Sequence, residues 1–200
     1  MTLSDGSDAS IPAGEPASEP LRLRLARPGD VPDLQRLIED SVRGLVARDY
    51  DAAQIESSLR HVFSVDSTLI ADGTYYVVEL EGRLLGCGGW SRRRTPFGGD
   101  QAHAVHDVGL RDPAVDAAVM RAFFVHPDWS GHGLGRMILD ACESAARQAG
   151  FGRFELVATL TGVPFYAARG YHPAGLLDHT LPDGTVLRFE RMEKAAPPAP

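Results

Sequence analysis

Hydrophobic positions along the chain switch between a period of two and a period near 3.6, and the switches mark out the elements. Leu21-Arg22-Leu23-Arg24-Leu25 alternates strictly, which predicts a strand with one buried face. Arg27-Pro28-Gly29-Asp30 turns the chain and offers Asp30 as the N-cap of an amphipathic helix carrying Val31, Leu34, Leu37, Ile38 and Val42. Residues 51–63 predict a second helix with Ile55, Leu59 and Val62 on one side. Residues 74–79 and 83–90 predict two strands joined by the tight turn Leu80-Glu81-Gly82. Gly86, Gly88 and Gly89 in the second of these point to a bulge or a close backbone approach.

Ala122-Phe123-Phe124-Val125 is aromatic and β-branched, predicts a strand buried on both faces, and is stopped by His126-Pro127. Leu134, Ile138, Cys142, Ala145 and Ala149 then repeat at helical spacing up to Gly150, placed as a C-terminal cap. Residues 154–159 predict a strand, a short helix surrounds Tyr166, and Tyr171-His172 opens a further strand. After the turn Pro182-Asp183-Gly184-Thr185, residues 186–192 alternate as the last strand. The order is strand, two helices, three strands, helix, strand, helix, two strands. It predicts an α+β fold, a mixed sheet with helices on both faces and no internal repeat.

Composition narrows the picture. Two hundred residues suit one domain with a real core, spanning residues 21–194 between tails 1–20 and 195–200 that have almost nothing to bury and are expected to be disordered. A net charge of −7 and a pI near 5.4 argue against nucleic acid or an anionic membrane as the main partner. No stretch approaches a membrane span and the N-terminus lacks a signal-peptide pattern, so a cytoplasmic location is expected. Cys87 and Cys142 lie in apolar patterns without disulfide or metal spacing and read as reduced, buried thiols.

Chemistry concentrates between residues 120 and 171. Gly131-His132-Gly133-Leu134-Gly135 links the strand ending at Val125 to the helix that follows. Such a turn leaves backbone N–H groups unpaired at the positive end of a helix dipole, an arrangement suited to phosphate or pyrophosphate. It is not a Walker loop, because no Gly-Lys-Ser/Thr closes it. Nor is it a dinucleotide fingerprint, because the glycines run G-x-G-x-G without the later acidic residue. Those two departures disfavour a nucleotide-binding protein.

Ser130-Gly131-His132-Gly133-Leu134-Gly135, followed one helix and one strand later by Phe165-Tyr166 and Gly170-Tyr171, resembles the paired signatures of the GNAT superfamily of acyl-CoA-dependent N-acyltransferases. The pyrophosphate loop of that family reads [Gln/Arg]-x-x-Gly-x-[Gly/Ala], and only Ser130 departs from it. The resemblance covers roughly residues 21–194 and implies a mixed six- to seven-stranded sheet flanked by about four helices. It also implies acetyl-CoA as co-substrate, no metal, and an amine acceptor that is a small molecule or a peptide; the family often forms homodimers. By the same resemblance, Ser130, Gly131, His132, Gly133, Leu134, Gly135 and Arg136 would hold the pyrophosphate. Phe123, Phe124 and Val125 would offer strand backbone to the pantetheine, with the N–H near Val125 facing the thioester carbonyl.

Acyl transfer to an amine requires a held thioester, a polarised carbonyl, a deprotonated amine and a protonated leaving thiolate. Tyr166 is the candidate general acid, since a phenol is protonated at neutral pH and can donate to a thiolate. Many family members carry a base Glu at about Arg121 or Ala122, and neither is acidic here. Glu155, Asp116, His126, Asp100 and a water chain all stay open. That gap keeps a second reading alive, a non-catalytic acyl-CoA-binding or regulatory module. Tyr50 and Gln54 could touch the acceptor or simply pack. The irregular stretch 91–116 is expected to help cover the acceptor site. Within it, Arg92, Arg93 and Arg94 suggest a solvated face or an anion contact, and His103, His106 and Asp107 read as a solvated loop rather than a metal cluster.

Overall fold

The computed structural model describes residues 20–94, 99–100 and 109–195. Both expected tails, apart from Pro20 and Ala195, lie outside the described residues, as do His103, His106 and Asp107.

Seven strands form one mixed sheet: β1 (Arg22–Leu25), β2 (Tyr75–Leu80), β3 (Arg83–Ser91), β4 (Ala118–Val125), β5 (Arg153–Thr159), β6 (His172–Thr180) and β7 (Val186–Ala195). They lie in the order β1-β2-β3-β4-β5-β7-β6, with every pair antiparallel except β4 and β5. Helices α1 (Val31–Leu45), α2 (Ala52–His61) and α3 (Ser67–Ala71) pack on one face, α4 (Leu134–Gln148) and α5 (Val163–Ala167) on the other. The predicted element order holds, with α3 added. Its five residues are too few for periodicity to reveal; Asp66, accepting the Leu69 N–H, starts it.

Period-two alternation sorts side chains between the two faces. Val77, Leu84 and Phe189 join the cluster under α1 and α2, while Val78, Leu85 and Met192 join the one under α4. The hairpin turn Glu81-Gly82 has both residues at positive φ (49° and 76°), the geometry that matches strand twist. The β3 glycines answer to packing: a Cβ on Gly88 would stand 2.8 Å from both Ile138 of α4 and Phe123 of β4, so only glycine lets them close on the strand.

Some local expectations change. Asp30 does not cap α1 through its side chain; its carboxylate is held by Arg24 at 2.7 and 3.0 Å and by the Arg27 N–H at 2.7 Å. On α4 the buried seam runs through Ala146, leaving Ala145 half-buried and Ala149, one past the last helical residue, exposed. Gly150 does close the helix, at φ 94°.

The feature that positions the site is a gap. β4 and β5 pair only at Ala118–Phe154 and Val119–Glu155 and then part, so β4 from Met120 onward has no strand neighbour on that side. On its other side β4 bulges: Ala122 and Phe123 both oppose Gly88, with Ala122 at φ 59°. A non-glycine residue in left-handed conformation carries strain of order 1–2 kcal/mol.

Candidate active site

A cavity of about 630 Å³ opens where β4 and β5 part. One end is walled by the turn from Trp129 to Arg136 and by Pro164, Phe165, Tyr166 and Arg169. The other is walled by Ser41 to Arg48 of the α1 end, Val62 to Ser64, Gly99 and Phe189. β4 from Val119 to Val125 runs between them.

At the first end, Gly131 and Gly133 adopt φ 82° and 84°, with no atom within 4 Å of where a Cβ would stand. Gly133 caps α4 with no side chain, and the first backbone bond into the helix comes from the Met137 N–H to Gly133. The amides of Leu134, Gly135 and Arg136 therefore lack intrahelical acceptors at the positive end of a 15-residue helix. Gly135 fits against Phe165, whose ring would lie 3.2 Å from an added Cβ.

Tyr166 rises from α5 among aromatic rings, with centroids of Phe165, Tyr171 and Phe123 at 4.9, 5.8 and 6.1 Å. This burial pushes its phenol above the ordinary value, so it stays protonated. Below it, Glu143 of α4, buried and absent from the sequence-based candidates, accepts from the Tyr171 hydroxyl at 3.0 Å and from Lys194 at 2.7 Å. Tyr171 also returns its N–H to the Tyr166 carbonyl, which fixes the segment carrying Tyr166 to α4 and β7.

The other end is apolar, with Phe63 edge-on to both Phe124 and Phe189 at 5.8 and 6.4 Å. Arg121 lines it too and is locked to Asp66, Nε to Oδ2 at 2.7 Å, with both side chains almost fully buried. The strand position where an acid was sought thus holds a buried cation. Among the described residues, the charged groups on the cavity wall are Arg48, Arg121, Arg136 and Arg169, and no carboxylate lines it.

Ten of the eleven sequence-predicted site residues surround this one cavity: Phe123, Phe124, Val125, Ser130, Gly131, Gly133, Leu134, Gly135, Arg136 and Tyr166. His132 does not line it; it is exposed, tilted against Trp129 with ring centroids 5.5 Å apart. The Val125 N–H is already engaged, donating to the Ser41 hydroxyl at 3.2 Å. None of the side chains considered as bases reaches the cavity. Glu155 pairs with Arg111 and Asp116 with Arg94, each at 2.7 Å. Asp100 binds Ser67, and His126 meets the Arg83 guanidinium at 2.7 Å.

Tyr50 and Gln54 pack instead of lining: the Tyr50 hydroxyl donates to the Arg188 carbonyl and accepts from the Leu160 N–H, and Gln54 donates to the Val186 carbonyl. Arg93 and Arg94 are taken by Asp72 and Asp116. Sequence reasoning missed Ser41, Phe63, Phe189 and Arg169. For the first three no local signal exists, because only the fold brings α1, the α2 end and β7 to β4. Arg169 lay inside the second signature and could have been singled out.

Residues 39–171 match the family model described as Acetyltransferase (GNAT) family. Among solved structures, a GCN5-related N-acetyltransferase from Rhodopseudomonas palustris superposes with a TM-score of 0.64 at 22% identity, over 91% of this chain and 99% of that one. The PaiA N-acetyltransferase of Thermoplasma acidophilum, solved with coenzyme A, gives 0.59 at 14% identity over 88% and 99% of the two chains. The yncA protein of Salmonella typhimurium, solved with acetyl-CoA, gives 0.57 at 15% over 90% and 95%. No curated protein matches in sequence. The shared fold and the family match, which spans about two thirds of the chain, agree: this chain belongs to the acetyltransferase (GNAT) family.

Proposed function

We propose that this acetyltransferase moves the acetyl group of acetyl-CoA onto a primary amine by direct attack in a ternary complex, within one domain spanning residues 21–194. The observation that carries the reading is the meeting, in one cavity, of an unpaired amide cradle and a protonated tyrosine across an open strand edge. The cradle fits a diphosphate: left-handed glycines, open space beside them and three free amides leave room for phosphate oxygens at hydrogen-bonding distance. The structural neighbours solved with coenzyme A and acetyl-CoA support the same co-substrate.

In this reading the amides of residues 134–136 hold the diphosphate and the free edge of β4 from Phe123 to Val125 holds the pantetheine arm. Ser41 and the Val125 N–H that donates to it stand beside the reacting carbonyl, and one of the two donates to it as negative charge develops. The amine nitrogen bonds to the acetyl carbon, the carbon–sulfur bond breaks, and Tyr166 gives its proton to the departing thiolate. The proton lost by the amine passes to water. The apolar wall of Val42, Leu45, Val62 and Phe63, together with the Arg121 cation, disfavours a charged ammonium, so the acceptor binds in its neutral form.

Arg121 also favours the second reading, a module that binds acyl-CoA without turnover, since it replaces an acid with a buried cation. Thiol release from acetyl-CoA against a panel of amines, amino acids and peptides separates the two. Turnover with one acceptor class is expected. Coenzyme A binding by thermal shift with no release on any acceptor would favour the module, and absence of coenzyme A binding would overturn both readings.

A further inference from the structure

Among the described residues, Arg169 is the one cavity-lining cation whose side chain holds a buried, unsatisfied donor. Its Nε is shut from solvent and has no hydrogen-bond partner, and its Nη1 makes only a long 3.4 Å contact with the neighbouring Ala168 carbonyl. The other cavity arginines differ: Arg121 is locked to Asp66, Arg136 meets Asp140 at 3.4 Å, and Arg48 meets Asp49 at 3.8 Å. A buried donor left unmade is costly, so the side chain gains by turning toward an anion on the cavity wall, where its weakly engaged Nη1 is already exposed.

Its position says which anion. The Arg169 guanidinium lies 5.5 Å from the centre of the Phe165 ring, and that ring packs directly on Gly135 in the first turn of α4. Arg169 and Gly135, which with its neighbours presents the free amides of residues 134–136, therefore both contact the Phe165 ring on the wall of the same cavity. A planar fork of N–H donors suits two oxygens of one phosphate.

We propose that Arg169 binds a phosphate group of the coenzyme, supplying from the α5 side a charged contact that the backbone amides of the turn cannot make. The inference rests on the acyl-CoA reading. The phosphate could belong to the diphosphate or to the ribose 3′-phosphate, and the ligands used in the test tell these apart.

Titration calorimetry of the full chain with coenzyme A and with dephospho-coenzyme A, on wild type, Arg169→Gln and Arg169→Lys, tests it. Arg169→Gln is expected to raise the Kd for coenzyme A about 10- to 100-fold, the range of a lost charge-assisted pair, and Arg169→Lys to recover part of the loss. If the same loss appears with dephospho-coenzyme A, the diphosphate is the partner; if it disappears, the 3′-phosphate is. An Arg169→Gln Kd within twofold of wild type would overturn the inference while leaving coenzyme binding intact. A wild type that binds neither ligand would overturn it together with the acyl-CoA reading. Unliganded melting curves check folding, and should Arg169→Gln melt early, the Arg169→Lys Kd decides: equality with wild type for both ligands counts against a bidentate phosphate contact.

Discussion

The two ends of the cavity are built in opposite ways. The proposed coenzyme end is made of short contiguous pieces: Trp129 to Arg136 closes on itself within one turn, and Phe165 to Tyr171 within another. The proposed acceptor end is made of distant pieces. Arg121 meets Asp66 across 55 residues, the Val125 N–H meets Ser41 across 84, and Tyr50 ties the neighbouring wall to residues 110 and 138 positions away. The chemistry follows the construction. In the proposed reading, backbone amides, which any turn of that conformation presents, serve the part of the ligand that every acyl-CoA shares, and side chains gathered by the fold serve the part that varies. A mutation at the coenzyme end should therefore change binding with little loss of stability, and one at the acceptor end should cost stability first.

The largest break in that pattern is expected at Asp66. Replacing Asp66 by Ala takes the carboxylate partner from the buried Arg121 cation and removes the acceptor for the Leu69 N–H that starts α3. Breaking one side of a buried pair costs about 3–5 kcal/mol, a large part of a domain's total stability. Urea unfolding is expected to show that loss. The double replacement Asp66→Leu with Arg121→Met should restore most of it, since no unpaired charge remains. A single variant as stable as wild type would mean that the pair does not organise the acceptor end.

Tyr166→Phe stands next, at the coenzyme end. With the proton donor gone, thiol release should fall on the order of 10²-fold while the Kd for coenzyme A and the melting temperature stay close to wild type. The pH profile sharpens the assignment. Burial raises the Tyr166 pKa above its ordinary value near 10, so the phenol stays protonated over the working range and imposes no descending limb below about pH 10. With no carboxylate on the described wall, kcat/KM should climb with pH at unit slope until it reaches the pKa of the acceptor amine itself. A plateau beginning near pH 6–7, the range of a histidine or a raised carboxyl, would instead reveal a protein base.

The same division explains what could be read from the sequence. The glycine turn, the helix behind it and the Phe165-Tyr166 pair are legible because their geometry follows from neighbouring residues: Gly133 at positive φ caps α4, whatever the rest of the chain does. The strand glycines were also legible as a packing signal, though not their partners, Ile138 and Phe123. What was not legible depends on strand order. Nothing local says that Phe63 and Phe189 meet Phe124, or that Arg121 carries its own counter-ion from α3's cap; the parting of β4 from β5 is implied by the family resemblance alone. Glu143 shows the limit sharply: inside an amphipathic helix it reads as solvated, yet Tyr171 and Lys194 from the far end of the chain bury it.

Gly133→Ala tests the coenzyme end at lower amplitude. Alanine at φ 84° costs about 1–2 kcal/mol, and if the turn relaxes to avoid it, the amides of residues 134–136 move off the diphosphate. The Kd for coenzyme A is expected to rise about tenfold, in step with that strain. Equal affinities would show that the turn tolerates a side chain and that the cradle is set by α4 alone.

The smallest effect is expected at Ser41, where the two ends touch. Its hydroxyl accepts the Val125 N–H at 3.2 Å, a bond long enough for a better acceptor to replace. Ser41→Ala leaves that N–H without a partner in the unliganded protein, and a stability loss of about 1 kcal/mol follows from one unmade buried bond. If the Val125 N–H turns to the thioester carbonyl when acetyl-CoA binds, the bound ligand supplies the missing acceptor. The variant should then lose less stability in saturating acetyl-CoA than without it, and its affinity should match or exceed that of wild type. If Ser41 instead keeps the N–H and itself donates to the carbonyl, the stability loss persists with ligand present and thiol release falls as well. Melting curves with and without acetyl-CoA distinguish the two, and with them whether α1 only walls the cavity or takes part in holding the reacting group.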